Sequence, residues 1–436
     1  MTETYTIKAP ETLRATPRLP ASKSISNRAL TIWALARGDG EARLPENLSD
    51  CDDTTVMMQA LRDISADFAG KTQPKLIDIG AAGTAMRFMT ALLAVSHGSF
   101  TLTGTERMKH RPIGILVGAL QQLGADISYA GEDGFPPLHI KGRALHGGQI
   151  EMQGNVSSQY ISAILMIAPT LRDGLELRLK GEVVSRPYID LTLWMMREFG
   201  AEAGWTGGNT ISVKSGNYRH LPYLIENDWS AASYWYEMVA LANDEDAEIR
   251  LLGLTDSTKQ GDAVVRYIFS MLGVKTEFCE ARSEECGVRS EVVLRKSKRI
   301  APRLDYDFTN SPDLVQTIAV ACAAKGIPFH FRGLRSLRIK ETDRIEALVT
   351  ELRKVGFAVR VENDDDLVWN GEHCEPTFEP IDTYEDHRMA MSFAPLALIF
   401  PEISIRRPQV VTKSYPLFWE ELESSRFIIH RSSLYD

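Results

Sequence analysis

Apolar and polar positions along the chain fall into a form that recurs. LVGALQQLGADISY (116–129), LWMMREFGAEAGW (193–205), YIFSMLGVKTEF (267–278) and ELRKVGFAVRV (351–361) each read as the end of an amphipathic helix, a glycine, then a short strand. Glycine suits the position just past a helix C-terminus, where the backbone turns left-handed. Gly124, Gly200, Gly273 and Gly356 are 76, 73 and 83 residues apart. A weaker copy, MQALRDISADF (58–68), carries Ser65 at the glycine position. SFTLTGTE, GLELRLKG and AEIRLLGL alternate apolar and polar residues, which predicts sheets with one covered face rather than a fully buried parallel sheet. Units of this kind, repeating about every 75 residues, predict an α/β protein of the α+β type, built from helix/strand modules and then duplicated.

Composition sets the frame around that pattern. The chain has 436 residues, 44% of them hydrophobic, enough for two or three domains with their own cores. A net charge of −9 disfavours a bulk nucleic-acid binder, though not a local basic pocket for a small anion. No apolar run of about 18 residues predicts a membrane span, and the N-terminal stretch has no signal-peptide pattern. Cys51, Cys279, Cys286, Cys322 and Cys374 show no paired spacing. They read as reduced thiols of a cytoplasmic protein without a zinc site.

The candidate chemistry lies where predicted helices begin. PASKSISNRALTIWALA (20–36) places Ser22, Lys23, Ser24 and Arg28 at a helix start, with Ser22 or Ser24 able to cap it. IGAAGTAMRFMTALLAV (79–95) has Gly80 and Gly83, which allow close backbone approach to a ligand. GNVSSQYISAILMIA (154–168) sets Ser157, Ser158 and Gln159 before an apolar helix, and TNSPDLVQTIAVACAA (309–324) sets Ser311, Pro312 and Asp313 likewise. YEDHRMAMSFAPLAL (384–398) brings His387 and Arg388 to a fifth start. LRIKETDRIEAL (337–348) supplies the sixth, where Asp343 with Glu346 reads as a capping box. There Lys340 and Arg344 stand four apart; on one helix face they repel by roughly 0.2–0.5 kcal/mol, unless an anion belongs between them. Each cluster alone looks like an ordinary cap or a solvated cation. Together they predict a small-molecule site for several anionic groups, because helix N-termini already attract anions. Nucleophile-elbow, zincin and Walker motifs are absent from the sequence, which leaves acid–base chemistry and electrostatic stabilisation as the tools.

LPASKSISNRAL, GAAGTAMRF, RMKHRPIG, VSSQY, SRPYI, SPD, IKETDRIEAL, DHRMAMSFAPLAL and VVTKSYP occur in this order between residues 19 and 416. In these motifs the chain resembles the EPSP synthase family, the 3-phosphoshikimate 1-carboxyvinyltransferases of the shikimate pathway. The resemblance implies two similar domains, each of three repeated helix/strand units, with the active site in the cleft between them. The chain would cross near residues 20 and 226, giving domains 21–225 and 1–20 plus 226–436. It implies transfer of the enolpyruvyl group of phosphoenolpyruvate to the 5-hydroxyl of shikimate 3-phosphate, with release of phosphate and closure of the domains over the substrates. It implies no cofactor, no metal, no nucleic acid or membrane partner, a monomer, and a cytoplasmic location.

Carried over by motif, the resemblance assigns Ser24 and Arg28 to the shikimate carboxylate side. Ser157, Ser158 and Ser185 hold its phosphate with Lys340, and Gln159 and Tyr188 pack near its ring. Lys23, Gly83, Arg111, Arg344, Arg388 and Lys413 surround phosphoenolpyruvate. Asp313 accepts the hydroxyl proton, and Glu341 with Lys23 delivers a proton to C3. Some positions depart from the family pattern: Ala81 stands where Asn is frequent, Phe88 where Pro is frequent, Ser336 where Asn is common and Ala21 where Gly is frequent. None removes a charged group, so activity is expected to survive, although the loss of the amide at Ala81 bears on phosphoenolpyruvate affinity. Two alternatives stand beside this reading. The sister UDP-N-acetylglucosamine enolpyruvyl transferases carry a reactive Cys in the first domain, whereas no Cys lies between Cys51 and Cys279 here. A non-catalytic sensor of phosphorylated acids would have shed Asp313, Glu341 or Lys23, and all three are present. The pattern of the tail ELESSRFIIHRSSLYD (421–436) predicts no element.

Overall fold

The computed structural model describes residues 3–36, 43–65, 74–283 and 287–432. Cys286, the end of the 58–68 copy and the last four residues of the tail lie outside these. Met1–Pro20 with Glu226–Asp436 form one compact unit, and Ala21–Ile225 a second. Each has its own hydrophobic core; Ile7, Leu13 and Leu19 belong to the core of the first.

One strand plan recurs in both units. In the 21–225 unit, Lys75–Asp78, Gly98–Thr103, Asp126–Tyr129 and Leu138–Gly142 form a sheet. Its first two strands are parallel, and the fourth lies antiparallel between the second and the third. Helix Gly83–Val95 follows the first strand and helix Gly114–Gln122 the second. Gly148–Gln153, Leu175–Lys180, Ala203–Gly207 and Thr210–Val213 repeat the plan, with helices Ser158–Ile167 and Arg186–Glu198. The remaining part of this unit holds helices Lys23–Leu35 and Asp52–Ser65 and, among the described residues, a single parallel bridge between Glu46 and Leu224.

The other unit uses the plan three times. Arg14–Ala15, Glu248–Leu252, Leu272–Ser283 and Gly287–Ile300 form one sheet, with helices Trp229–Leu241 and Val265–Ser270. Leu304–Asp307, Phe329–Arg332, Arg360–Glu362 and Asp366–Trp369 form the next, with helices Val315–Ala324 and Arg344–Lys354. In the last, Ile403–Arg406 pairs in parallel with Ile381 at a bridge, and Ile428–Ser432 is the third strand. Its fourth strand comes from the far end of the chain: Thr4–Lys8 lies antiparallel between the other two.

The recurring glycines sit where the pattern places them. Gly124, Gly200, Gly273 and Gly356 have φ of +97°, +95°, +90° and +97°. After three of them the next N–H reaches back to close the helix: Ala125 to Leu120 at 3.0 Å, Ala201 to Met196 at 2.9 Å, Phe357 to Leu352 at 3.0 Å. The tail is a further copy. Helix Phe418–Ser424 ends with the same bond, Phe427 N–H to Leu422 at 3.1 Å, but Arg426 occupies the left-handed position at φ +72°. Strand burial alternates as read along Leu175–Lys180 and Glu248–Leu252, whereas Asp366–Trp369 is buried at every position. Helix Trp229–Leu241, like Gly83–Val95 and Val315–Ala324, is sunk deeper than one face requires. It is buried all round, with Trp229, Tyr234, Trp235 and Tyr236 no more than 1% exposed, each contributing roughly 2–3 kcal/mol of burial.

The plan fixes where chemistry can gather. In both repeats of the 21–225 unit and in the repeat of residues 304–369, two parallel strands each run into a helix, so their outgoing connections emerge at one edge of the sheet, as ligand-bearing loops do in open α/β sheets.

Candidate active site

The predicted site residues sit in these strand-to-helix connections or in the first turns that follow. In the unit of residues 1–20 and 226–436 they form one ionic cluster centred on Asp313, which lies in the short 3-10 turn Pro312–Leu314 before helix Val315–Ala324. One carboxylate oxygen accepts from Arg344 Nη1 at 3.0 Å and Lys340 Nζ at 3.4 Å, the other from Arg388 Nη2 at 2.9 Å. Burial pushes the Asp313 pKa up, but Arg388, Lys340 and Arg344 overrule it and hold the carboxyl well below the usual range. Glu341 accepts from Arg344 Nη2 at 3.0 Å and from Lys413 Nζ at 3.1 Å. Six of the predicted residues are thereby joined through direct ion pairs.

Three local expectations change. Lys340 is not on a helix with Arg344. It ends the 3-10 turn Arg335–Ile339, and the helix starts four residues on, at Arg344. Helical repulsion between the two never arises, because the chain bends there and both cations turn onto Asp313. Asp343 does cap that helix, accepting from Ile345 and Glu346 N–H groups, but Glu346 reaches Arg338 at 3.4 Å instead of closing a box. Ser22 occupies the N-cap of helix Lys23–Leu35 without a side-chain cap bond. Ser336, where the family commonly has Asn, lies in the 3-10 turn before Lys340.

Two acids join the cluster that the sequence reading did not single out. Asp386, fully buried at the N-cap of helix His387–Phe393, binds Arg344 Nε at 2.7 Å and accepts the Arg388 N–H at 2.9 Å. It orients two of the cations that hold Asp313, and keeps Arg344 charged at 1% exposure. Its place before HR in DHRMAM was a cap signal. Asp262, buried before helix Val265–Ser270, accepts from Ser230 Oγ, and burial and the neighbouring Asp313 charge push its pKa up to about 6. Only the fold brings it near Asp313 and Arg388.

The remaining predicted residues lie in the 21–225 unit. Arg28, at 2% exposure, donates to Thr192 Oγ1 at 2.7 Å, Ser24 O at 2.9 Å, Ser162 Oγ at 3.2 Å and Tyr188 O at 3.3 Å. Ser185, in the left-handed region at φ +53°, begins the helix that carries Tyr188 and Thr192. Gly83 and Arg111 are neighbours: a Cβ on Gly83 would meet Arg111 Nη1 at 2.5 Å and Arg87 Nη1 at 3.1 Å. A side chain there would make the Arg111 guanidinium shift from its place. Gln159 Nε2 donates to Thr84 Oγ1 at 3.1 Å, tying the start of helix Ser158–Ile167 to that of helix Gly83–Val95. Ser158 is buried, and Ser157 caps its helix through the Gln159 N–H at 3.4 Å. Lys23 is half-buried, close enough to Cys51 to lower its pKa against the larger effect of burial. Among the described residues no group of three or more His, Cys, Asp or Glu is placed to hold a metal, and no helix is long and apolar enough to cross a membrane.

A two-unit α/β protein with cations and carboxylates gathered at its strand-to-helix turns defines an enzyme class that handles polyanionic small molecules. The EPSP synthase (3-phosphoshikimate 1-carboxyvinyltransferase) family model matches residues 7–422, and the chain belongs to this family. A 3-phosphoshikimate 1-carboxyvinyltransferase of Bacteroides fragilis is 53% identical over 424 residues, 97% of this chain and 98% of that protein. One of Shewanella pealeana is 36% identical, covering 94% of this chain and 96% of its own. The fold matches an EPSP synthase of Acinetobacter baumannii with a TM-score of 0.76 and 23% identity, over 99% of this chain and 100% of that one.

Proposed function

We propose that the enolpyruvyl group of phosphoenolpyruvate is transferred to the 5-hydroxyl of shikimate 3-phosphate by the groups described above, with release of inorganic phosphate. The Asp313 cluster is the observation that carries the division of roles. Asp313 takes the proton of the 5-hydroxyl as its oxygen attacks C2. Glu341 and Lys23 deliver a proton to C3, giving a tetrahedral intermediate. Loss of phosphate from C2 and of a proton from C3 then restores the double bond.

Without substrates, Asp313 is a poor base, because Arg388, Lys340 and Arg344 compensate its charge. Family motifs assign those same cations to substrate anions: Lys340 to the phosphate of shikimate 3-phosphate, Arg344 and Arg388 to phosphoenolpyruvate. As the anions take up these partners, Asp313 loses counter-charge and its basicity rises. Charge-assisted bonds to the incoming phosphate and carboxylate replace those given up. Arg111, Gly83 and Lys413 complete the phosphoenolpyruvate set; Ser157, Ser158, Ser185 and Gln159 complete the shikimate 3-phosphate set. Ser24 and Arg28 take the acceptor's carboxylate. A monomer working in the cytoplasm belongs to the same reading.

Asp313→Ala tests it. Turnover is expected to fall by about 10²–10⁴-fold, while KM for phosphoenolpyruvate stays level or drops, since three cations lose an internal competitor. Unchanged turnover would remove Asp313 as the base.

A further inference from the structure

The two sets of cations are neutralised differently. In the Asp313 cluster Arg344 and Arg388 face carboxylates. Arg28 is buried as deeply, but all four of its hydrogen bonds go to neutral oxygens, of Ser24, Ser162, Tyr188 and Thr192. Among the described residues no carboxylate lies within ion-pair distance of it. Burial lowers its pKa to about 10. A guanidinium has five N–H donors, so four bonds leave one Nη1–H for a ligand. What the pocket provides instead of an anion is the face of Phe88. Its ring, fully buried on helix Gly83–Val95, lies 5.5 Å from the Arg28 guanidinium carbon. That is within cation–π range, where a desolvated pair gains most.

We propose that Phe88 is a positioning residue for the acceptor substrate. Its ring face supplies the partial negative charge that holds the buried Arg28 guanidinium in orientation until the carboxylate of shikimate 3-phosphate arrives. This rests on the reading of Arg28 as the ligand of that carboxylate. Phe88 also packs in the core, so a truncation alone would confound charge with volume. The informative variants keep the shape of the side chain and change only the ring's electrostatics.

Phe88 is replaced in the full chain by 4-fluoro-, 3,5-difluoro- and 3,4,5-trifluorophenylalanine, and steady-state constants are measured for both substrates. KM for shikimate 3-phosphate is expected to climb with each fluorine, reaching roughly 5- to 30-fold with three. KM for phosphoenolpyruvate and the thermal midpoint should stay near those of the parent. Phe88→Leu should match the trifluoro variant in acceptor KM. A flat fluorine series overturns the proposal, because packing does not respond to ring electronics. Arg28→Lys separates the two layers. If it raises acceptor KM while the fluorine series is flat, Phe88 alone is rejected; if it leaves acceptor KM unchanged, the reading of Arg28 falls and the role of Phe88 with it.

Discussion

Lys340 and Arg344 pose the question of why two cations stand close together, and the structure answers it with Asp313, which binds both. The sequence showed the cations and carboxylates but not which acid meets which base, because, Glu341 with Arg344 aside, the partners lie 27 to 75 residues apart. Asp386 was missed for that reason: in sequence it is a helix cap, and only the fold brings it to Arg344. Asp386→Asn keeps an acceptor for the Arg388 N–H but takes from the buried Arg344 the nearest of its three carboxylates. Stability is expected to fall by about 3 kcal/mol in thermal or urea melts, with KM for phosphoenolpyruvate raised more than that for the acceptor. Lys340→Met should do the reverse, raising KM for shikimate 3-phosphate; an effect on phosphoenolpyruvate alone would contradict its assigned partner.

Among the elements, helix ends were the most legible feature, since a left-handed residue past a helix C-terminus is marked by glycine. The tail stayed unread because Arg426, not glycine, sits at that position. Arg426→Gly is expected to stabilise the protein by about 1 kcal/mol, the usual cost of a side chain in this region, measured by chemical denaturation; no gain would mean that Arg426 is held by contacts that offset the strain. A second element carries an unreadable cost. Glu237 lies on the fully buried helix Trp229–Leu241, at 0% exposure, and neither carboxylate oxygen has a hydrogen-bond partner among the described residues. Burial raises its pKa well above the ordinary value. A raised folded pKa means stability is fully present below about pH 4.5 and is lost as pH climbs toward the folded value. Glu237→Gln should therefore gain in stability over the parent between pH 5 and pH 8, seen as a growing difference in thermal midpoint; a constant difference would contradict the assigned burial.

For the whole molecule, the repeat read from helix–glycine–strand spacing became one strand plan used in five sheets. Strand order and the parallel pairs were beyond the sequence pattern, because alternation marks a strand without naming its neighbour. Least legible was the joining of the chain's two ends, where Thr4–Lys8 completes a sheet begun near residue 381. Deleting residues 1–8 removes a central strand and Ile7, a core side chain at 0% exposure. Loss of cooperative unfolding in the 226–436 part is expected, checked by hydrogen exchange, with the 21–225 unit still protected. The central claim concerns the reaction. Phosphate release from phosphoenolpyruvate, measured with shikimate 3-phosphate or with UDP-N-acetylglucosamine as acceptor, tests it most directly. Release with shikimate 3-phosphate alone is the expected result. Release only with UDP-N-acetylglucosamine, or with neither, would contradict it.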